Sequence, residues 1–239
     1  QTAGWGWNAQ FGALWRARDD LQLALTYTTS SVIDTKGRAT GNAQAQFTTL
    51  GGAFASAPPD FHYDASVENT FPQSITAGMS WRMHPQWRLA LQLDWINWAA
   101  AFRQLPVKLS NGSNAALNGL TGTADIVDTA PLGWRDQWVA HAGIECAVTE
   151  RLALRLGYTH SNSPVPDRTL TPLTAVINEH TFTAGFGWER GSWQIDCAYQ
   201  YDLPQARTVG VSSLRAGEYS RSRTEVDIHW LAVTTGFRF

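Results

Sequence analysis

The residues Val226-Asp227-Ile228-His229-Trp230-Leu231-Ala232-Val233-Thr234-Thr235-Gly236-Phe237-Arg238-Phe239 close the chain. Counted back by twos from the end, Phe239, Phe237, Thr235, Val233 and Leu231 share one face. Successive side chains of a strand point to opposite faces, so this spacing predicts a β-strand with one greasy side. A soluble domain more often leaves its last residues frayed and polar. A terminal strand that ends on an aromatic residue is how outer-membrane β-barrels typically close.

The same alternation runs back through the chain. Nine segments carry it, at about 4–17, 20–34, 70–84, 87–103, 134–148, 151–162, 179–189, 192–203 and 222–239. Leu89, Leu91, Leu93 and Trp95 oppose Arg88, Ala90, Gln92 and Asp94; Leu152, Leu154, Leu156 and Tyr158 oppose Ala153, Arg155 and Gly157. The connections alternate as well. Short turns fall at Arg18-Asp19-Asp20, His84-Pro85-Gln86, Thr149-Glu150 and Arg190-Gly191. Long connections rich in Gly, Ala, Ser, Asn and Pro fall at about 35–69, 104–133, 163–178 and 204–221. Short periplasmic turns and long extracellular loops are the pattern of an outer-membrane barrel; a soluble sandwich or propeller has no reason to sort its loops this way. The expected fold is all-β, an antiparallel transmembrane β-barrel.

Composition agrees. The chain has 239 residues and a net charge of −2, with a pI near 6.3 and a mean hydropathy of −0.25. It contains no run of eighteen apolar residues, so no transmembrane helix is expected. A membrane strand needs only about ten residues and hides its apolar face by alternation. The 12 Trp residues sit near strand ends, where aromatic girdles mark a bilayer interface. The balanced charge gives no footprint for nucleic acid. Cys146 and Cys197 have no metal spacing and are read as free thiols on separated strands; no cofactor or metal is expected. The opening Gln1-Thr2-Ala3 reads as the result of processing or truncation. Nine strands is an odd count, whereas bacterial single-chain barrels have even ones. The first and last strands would run in the same direction, so upstream strands are expected to be missing.

Several pieces, in order, resemble one family: the FadL-type outer-membrane transporters of long-chain fatty acids and hydrocarbons. They are Gly4-Trp5-Gly6-Trp7-Asn8-Ala9-Gln10-Phe11-Gly12, then Phe71-Pro72, His84-Pro85-Gln86-Trp87, Asp94-Trp95-Ile96-Asn97-Trp98, Trp134-Arg135-Asp136 and Leu156-Gly157-Tyr158. The sharpest is Ser161-Asn162-Ser163-Pro164-Val165-Pro166. The resemblance implies that residues 1–239 are the C-terminal portion of a barrel, about nine of fourteen strands, without the N-terminal hatch and early strands. It implies passive transport of hydrophobic compounds across the bacterial outer membrane. The implied partners are outer-membrane lipid and a hydrophobic small molecule, with a monomeric complete protein. The alternatives are a general polar-solute porin and a non-transporting structural or adhesive barrel.

Candidate residues follow from the residue chemistry. Ile228 and Trp230, with Val226 and Ala232, fall on the inward face of the last strand and suggest a greasy lumen, or packing against a plug. Trp98, Phe102, Arg103 and Lys108 lie where a strand climbs into a long loop. Aromatic groups beside two cations suit a tail and its carboxylate; a solvated strand end with snorkelling cations is the alternative. Phe47, Phe54, Phe61 and Tyr63 lie in the 35–69 loop and suggest a hydrophobic capture groove, or a cap folded on itself. Arg88, Asp94, His141, Glu145, Arg155 and Asp196 are expected to pair across the lumen, because unpaired buried charge is costly. No enzyme is expected. His141 and Glu145 lie about 13–14 Å apart along one strand face, and His160 and Ser161 point to opposite faces.

Overall fold

The computed structural model describes residues 2–238; the terminal aromatic Phe239 lies outside them. The strands are β1 (Thr2–Ala3), β2 (Gln10–Arg18), β3 (Leu21–Thr28), β4 (Ser31–Asn42), β5 (Asp60–Phe71), β6 (Ser74–His84) and β7 (Trp87–Ile96). They continue with β8 (Gln104–Ser110), β9 (Ile126–Pro131), β10 (Gln137–Ala147), β11 (Leu152–Ser161), β12 (His180–Arg190), β13 (Trp193–Thr208) and β14 (Arg223–Phe237). Three short helices, α1 (Gln44–Leu50), α2 (Trp98–Ala101) and α3 (Ala115–Thr121), lie in the long connections.

Nine strands form one sheet in the order β14, β13, β12, β11, β10, β7, β6, β3, β2. They correspond to the nine alternating segments, and every pairing is antiparallel. Strands β2 and β14 are the edges and do not pair with each other. Cys146 on β10 and Cys197 on β13 are separated by β11 and β12, and both thiols are free.

The short turns all lie at one end. Arg190 pairs with Trp193 across the two-residue loop Gly191-Ser192. Gly191 has φ +60°, as the first position of a type II′ hairpin turn requires. His84 pairs with Trp87 across Pro85-Gln86.

Three expectations need correction. The 35–69 and 104–133 connections are not irregular. They carry β4, β5, β8 and β9, which with β1 form a second sheet in the order β1, β4, β5, β8, β9. In β4 polar residues fall on both sides, but β5 sets Phe61, Tyr63, Ala65 and Val67 against His62, Asp64 and Ser66, and β8 sets Leu105, Val107 and Leu109 against Pro106 and Lys108, so these two strands do carry a period-two signal. The segment 87–103 also stops being a strand at Ile96. Asn97 caps α2 by accepting from the Ala100 N–H at 3.2 Å, and Asp136 accepts from the Ala99 N–H at 3.2 Å. The first segment likewise starts at Gln10 rather than at residue 4. Residues 4–6 instead run close along β4, where a Cβ on Gly4 would sit 2.6 Å from the Asp34 carbonyl oxygen.

The buried apolar core is not in the nine-stranded sheet. Leu132, Trp134, Val165, Leu170, Ile177 and Val209 cluster in the long connections above it, with Trp98, Phe102, Leu105, Ala175 and Val226 packed against them. The Ser163-Pro164-Val165-Pro166 motif belongs here. Its Pro164, Val165 and Pro166 are buried, the Pro164 carbonyl accepts from the Arg135 N–H at 2.9 Å, and Thr169 Oγ1 donates to the Leu132 carbonyl at 2.6 Å. A membrane strand needs no core of its own, since lipid covers one face. The loops do need one, and they form it as a packed cap.

Candidate functional site: the polar wall and the external cap

The registers sort the nine-stranded sheet into two faces. On one, Leu89, Ile144, Leu156, Ala184, Tyr199 and Leu231 lie in one row from β7 to β14. On the other, Gln92, His141, Thr159, Thr181, Asp202 and Ile228 form a row. The apolar face ends in aromatic groups at both margins. Trp81, Trp87, Trp188 and Trp193 stand near the short turns, and Trp95 and Trp138 near the long connections. From Trp87 to Trp95 is eight residues, about 27 Å along the strand at 3.4 Å each. A tilted strand of that length spans an apolar band roughly 25 Å tall. The apolar face is therefore the lipid face and the polar one lines the lumen.

The lumenal charges do pair, but along the wall between neighbouring strands rather than across the lumen. Glu145 accepts from Arg155 Nε at 2.7 Å and lies 3.5 Å from Arg88. Arg155 Nη1 donates to Asp196 at 2.8 Å. Gly187 makes room for this pair: a Cβ there would sit 2.7 Å from Asp196 Oδ1 and 3.0 Å from Arg155 Nη1. Two residues further along these strands, Ala90, Gly143 and Gly157 form a row of small side chains. Above it His141 lies 2.9 Å from Asp94 and 2.9 Å from Thr159 Oγ1, and Thr76 donates to Asp94 at 2.6 Å. His141 and Glu145 thus belong to separate networks, and His160 and Ser161 lie on opposite faces.

Between the two polar rows the wall forms an open concavity of about 560 Å³ over Ala90, Gly143, Gly157, Gly185, Ala198 and Ala232. Gly143 leaves bare backbone there, with nothing closer to an added Cβ than the Leu156 carbonyl at 3.8 Å, whereas the Thr183 hydroxyl leans over Gly157; over Gly143 a ligand can approach more closely than a side chain allows. The sequence signal for this floor is a Gly or Ala set between polar residues on the face opposite the leucines, as Ala90 between Arg88 and Gln92 and Gly143 between His141 and Glu145.

Trp230 and Ile228 lie on this lumenal face, opposite Gln200 and Asp202. Trp230 is 64% exposed and stands two residues along β14 from Ala232. Trp98 and Phe102 lie elsewhere, at the rim under the cap. Their ring centroids are 5.2 Å apart, and Phe102 stacks on Trp134 at 4.8 Å. Trp98 Nε1 donates to Gln137 at 3.0 Å. Trp134, whose role the residue chemistry alone did not single out, is the centre of this cluster; its Nε1 is buried with no hydrogen-bond partner.

The two cations are not brought together. Arg103 precedes β8 and is exposed. Lys108 lies five residues on, about 17 Å along an extended chain, and pairs in register with Ser66 and Val127 of the outer sheet. An odd spacing also turns them to opposite sides. Of the capture-loop aromatics, Phe47 and Tyr63 pack inward, and Phe54 and Phe61 are half-buried beside them. Phe47 is fully buried and Tyr63 is 3% exposed, with Phe47 against Phe54 and Phe61 against Tyr63, each at 5.9 Å. Asn114 holds this tip by donating to the Pro58 carbonyl at 2.8 Å and accepting from the Ala116 N–H at 3.0 Å.

An antiparallel sheet with a girdled lipid face, a charge-paired lumenal face and sorted loops defines a wall of a membrane β-barrel. The model of the family described as outer membrane protein transport protein (OMPP1/FadL/TodX) matches residues 1–239, and the chain belongs to that family, one of bacterial outer-membrane transporters rather than of enzymes. The fold is similar to that of the Pseudomonas putida toluene transporter TodX, at 19% identity and a TM-score of 0.69, over 99% of this chain and 50% of that one. It is also similar to a Pseudomonas aeruginosa FadL homologue, at 18% identity and a TM-score of 0.64, over 94% of this chain and 48% of that one. The monoaromatic hydrocarbon channel CymD matches at 14% identity and a TM-score of 0.59, over 98% of this chain and 52% of that one. The chain therefore spans about half the length of these solved barrels. No curated protein sequence matches it.

Proposed function

We propose that the protein carries hydrophobic compounds passively across the bacterial outer membrane, and that this chain supplies the C-terminal part of the barrel wall along which they pass. The observation that carries the reading is the small-residue floor of the lumenal wall, set between two rows of polar groups that satisfy one another. Charges already paired along the wall ask little of a ligand. Binding energy then comes from apolar burial, at roughly 25 cal/mol per Å². Trp230 adds a flat apolar surface beside the floor. The relatives' printed names give the classes to try first, toluene and other monoaromatic hydrocarbons; long-chain fatty acids are the second class. Trp98 and Phe102 are assigned to closing the rim with Trp134, and Phe54 and Phe61 to the surface of the cap tip.

The test is uptake by cells that lack their own hydrophobic transporters and express the full-length protein. Toluene entry is expected to rise, and a Gly143→Trp substitution, at a position with room for a Cβ, is expected to reduce it by filling the floor. Entry of a sugar of similar size is expected to stay unchanged. A rise in sugar entry with no rise in toluene entry identifies a polar-solute porin instead.

A further inference from the structure

The lipid face is not uniform. Across β7, β10, β11, β12 and β13 it carries a groove of about 650 Å³, walled by Leu89, Ile144, Leu156, Phe182 and Tyr199. The floor is low because Ala142 and Ala184 stand where neighbouring strands carry large side chains. A groove of this kind fits a hydrocarbon chain lying along the protein.

At its outer end the chemistry changes. His160 and His180 face each other in register on β11 and β12, with ring centroids 4.8 Å apart. His180 is two residues above Phe182, about 7 Å along the strand. The Tyr158 hydroxyl lies 2.7 Å from His180 Nδ1. His160 Nδ1 lies 3.2 Å from the Glu179 carbonyl, which makes that nitrogen the donor. Both Nδ1 atoms are thus engaged, which leaves both Nε2 atoms to meet something outside the protein. The adjoining acid is already occupied: Glu179 accepts from Arg207 at 2.7 Å. The opposite margin of the lipid face carries Trp81, Trp87, Trp188 and Trp193 and no such histidine pair among the described residues. Tryptophan suits any interface. Paired imidazoles suit an anionic, hydrogen-bond-accepting head group.

We propose that this groove and the His160–His180 pair form one binding site for a phosphate-bearing lipid of the outer leaflet, with an acyl chain in the groove and the phosphate at the two Nε2 atoms. His180 donates from Nε2 when Tyr158 donates to its Nδ1, and His160 adds a second donor when protonated. The site lies on the opposite side of the wall from the lumenal floor, so it is separate from the transport route.

The test uses the full-length protein in mild detergent and native mass spectrometry. The probes are dipalmitoyl phosphatidic acid, dipalmitoylglycerol and inorganic phosphate. Retention of the phosphatidic acid is expected to exceed that of the diacylglycerol by about tenfold, as one or two charge-assisted hydrogen bonds would give. Inorganic phosphate alone is expected not to bind or compete. The double variant His160→Gln/His180→Gln is expected to retain both lipids equally, and Ala184→Leu to lose both. The single variant His160→Gln, expected to be intermediate, serves where the double variant fails to fold. Toluene uptake by the histidine variants is expected to match the wild type, which separates this site from the transport proposal. Equal retention of the two lipids by the wild type overturns the site. So does an undiminished preference for phosphatidic acid in either histidine variant.

Discussion

Two residues show where the stabilising free energy of this chain resides. Ile177 is fully buried in the cap, and Ile177→Ala is expected to cost about 2–5 kcal/mol through lost burial and the cavity left behind. Its effect should appear as faster hydrogen exchange in residues 163–178 while the membrane strands stay protected. Phe186 faces lipid, between Leu154 on β11 and Cys197 on β13. Phe186→Arg is expected to destabilise the barrel by roughly 2–4 kcal/mol if the site lies near the midplane. Unfolding of the full-length protein in lipid would measure it, and an unchanged stability would reverse the face assignment. Paired side chains such as Arg155 and Glu145 are 45% and 30% exposed, and such pairs contribute about 1 kcal/mol or less. They set the charge of the lumen more than they hold the sheet.

At the scale of elements, the sequence announced the nine membrane strands; in the outer sheet β5 and β8 alternate as well, and β4 does not. Leu21, Leu23 and Leu25 stand out because lipid demands every second residue be apolar. In β4, Asp34, Lys36, Arg38 and Thr40 alternate with Thr35, Gly37 and Ala39. Both sides meet water or other loops, so the pattern reads as an irregular connection; pairing with β5 supplies the backbone bonds instead. The cap core was hidden for a different reason. Val165, Leu170, Ile177 and Val209 are scattered over a long stretch with no period, and only their meeting in space makes them a core. Of the candidate site, Trp230 and Ile228 could be placed on the lumenal face by counting twos. Separating Arg103 from Lys108 needed the outer strands. One contact in that outer sheet responds to pH. The Ser66 hydroxyl donates to Asp34 at 2.7 Å and holds its carboxyl below the ordinary carboxylate range, against a smaller opposing effect of burial and with help from Lys36. A depressed folded-state value stabilises the fold above the unfolded value, and the contribution is lost as pH falls through the folded one. The β4–β5 arm is expected to loosen as pH falls below about 4. Ser66→Ala should weaken that dependence in hydrogen exchange of residues 31–42.

For the whole molecule, one arrangement explains the sheet, the loops and the composition together. A wall with lipid on one side and ligand or water on the other must alternate. A barrel with short turns at one end must gather its irregular chain at the other, where the cap forms. The edges β2 and β14 carry unpaired backbone groups within this chain, a template for further strands. The barrel wall requires two distinct faces. The direct measurement places spin labels at single cysteines on successive positions 142–145 of β10 and 154–157 of β11. It uses the full-length protein in membranes, with Cys146 and Cys197 replaced by alanine. Oxygen, which partitions into lipid, is expected to relax labels at 142, 144, 154 and 156. A water-soluble nickel complex is expected to relax those at 143, 145, 155 and 157. Equal accessibility of neighbouring positions to both agents, or a period other than two, would contradict the barrel wall.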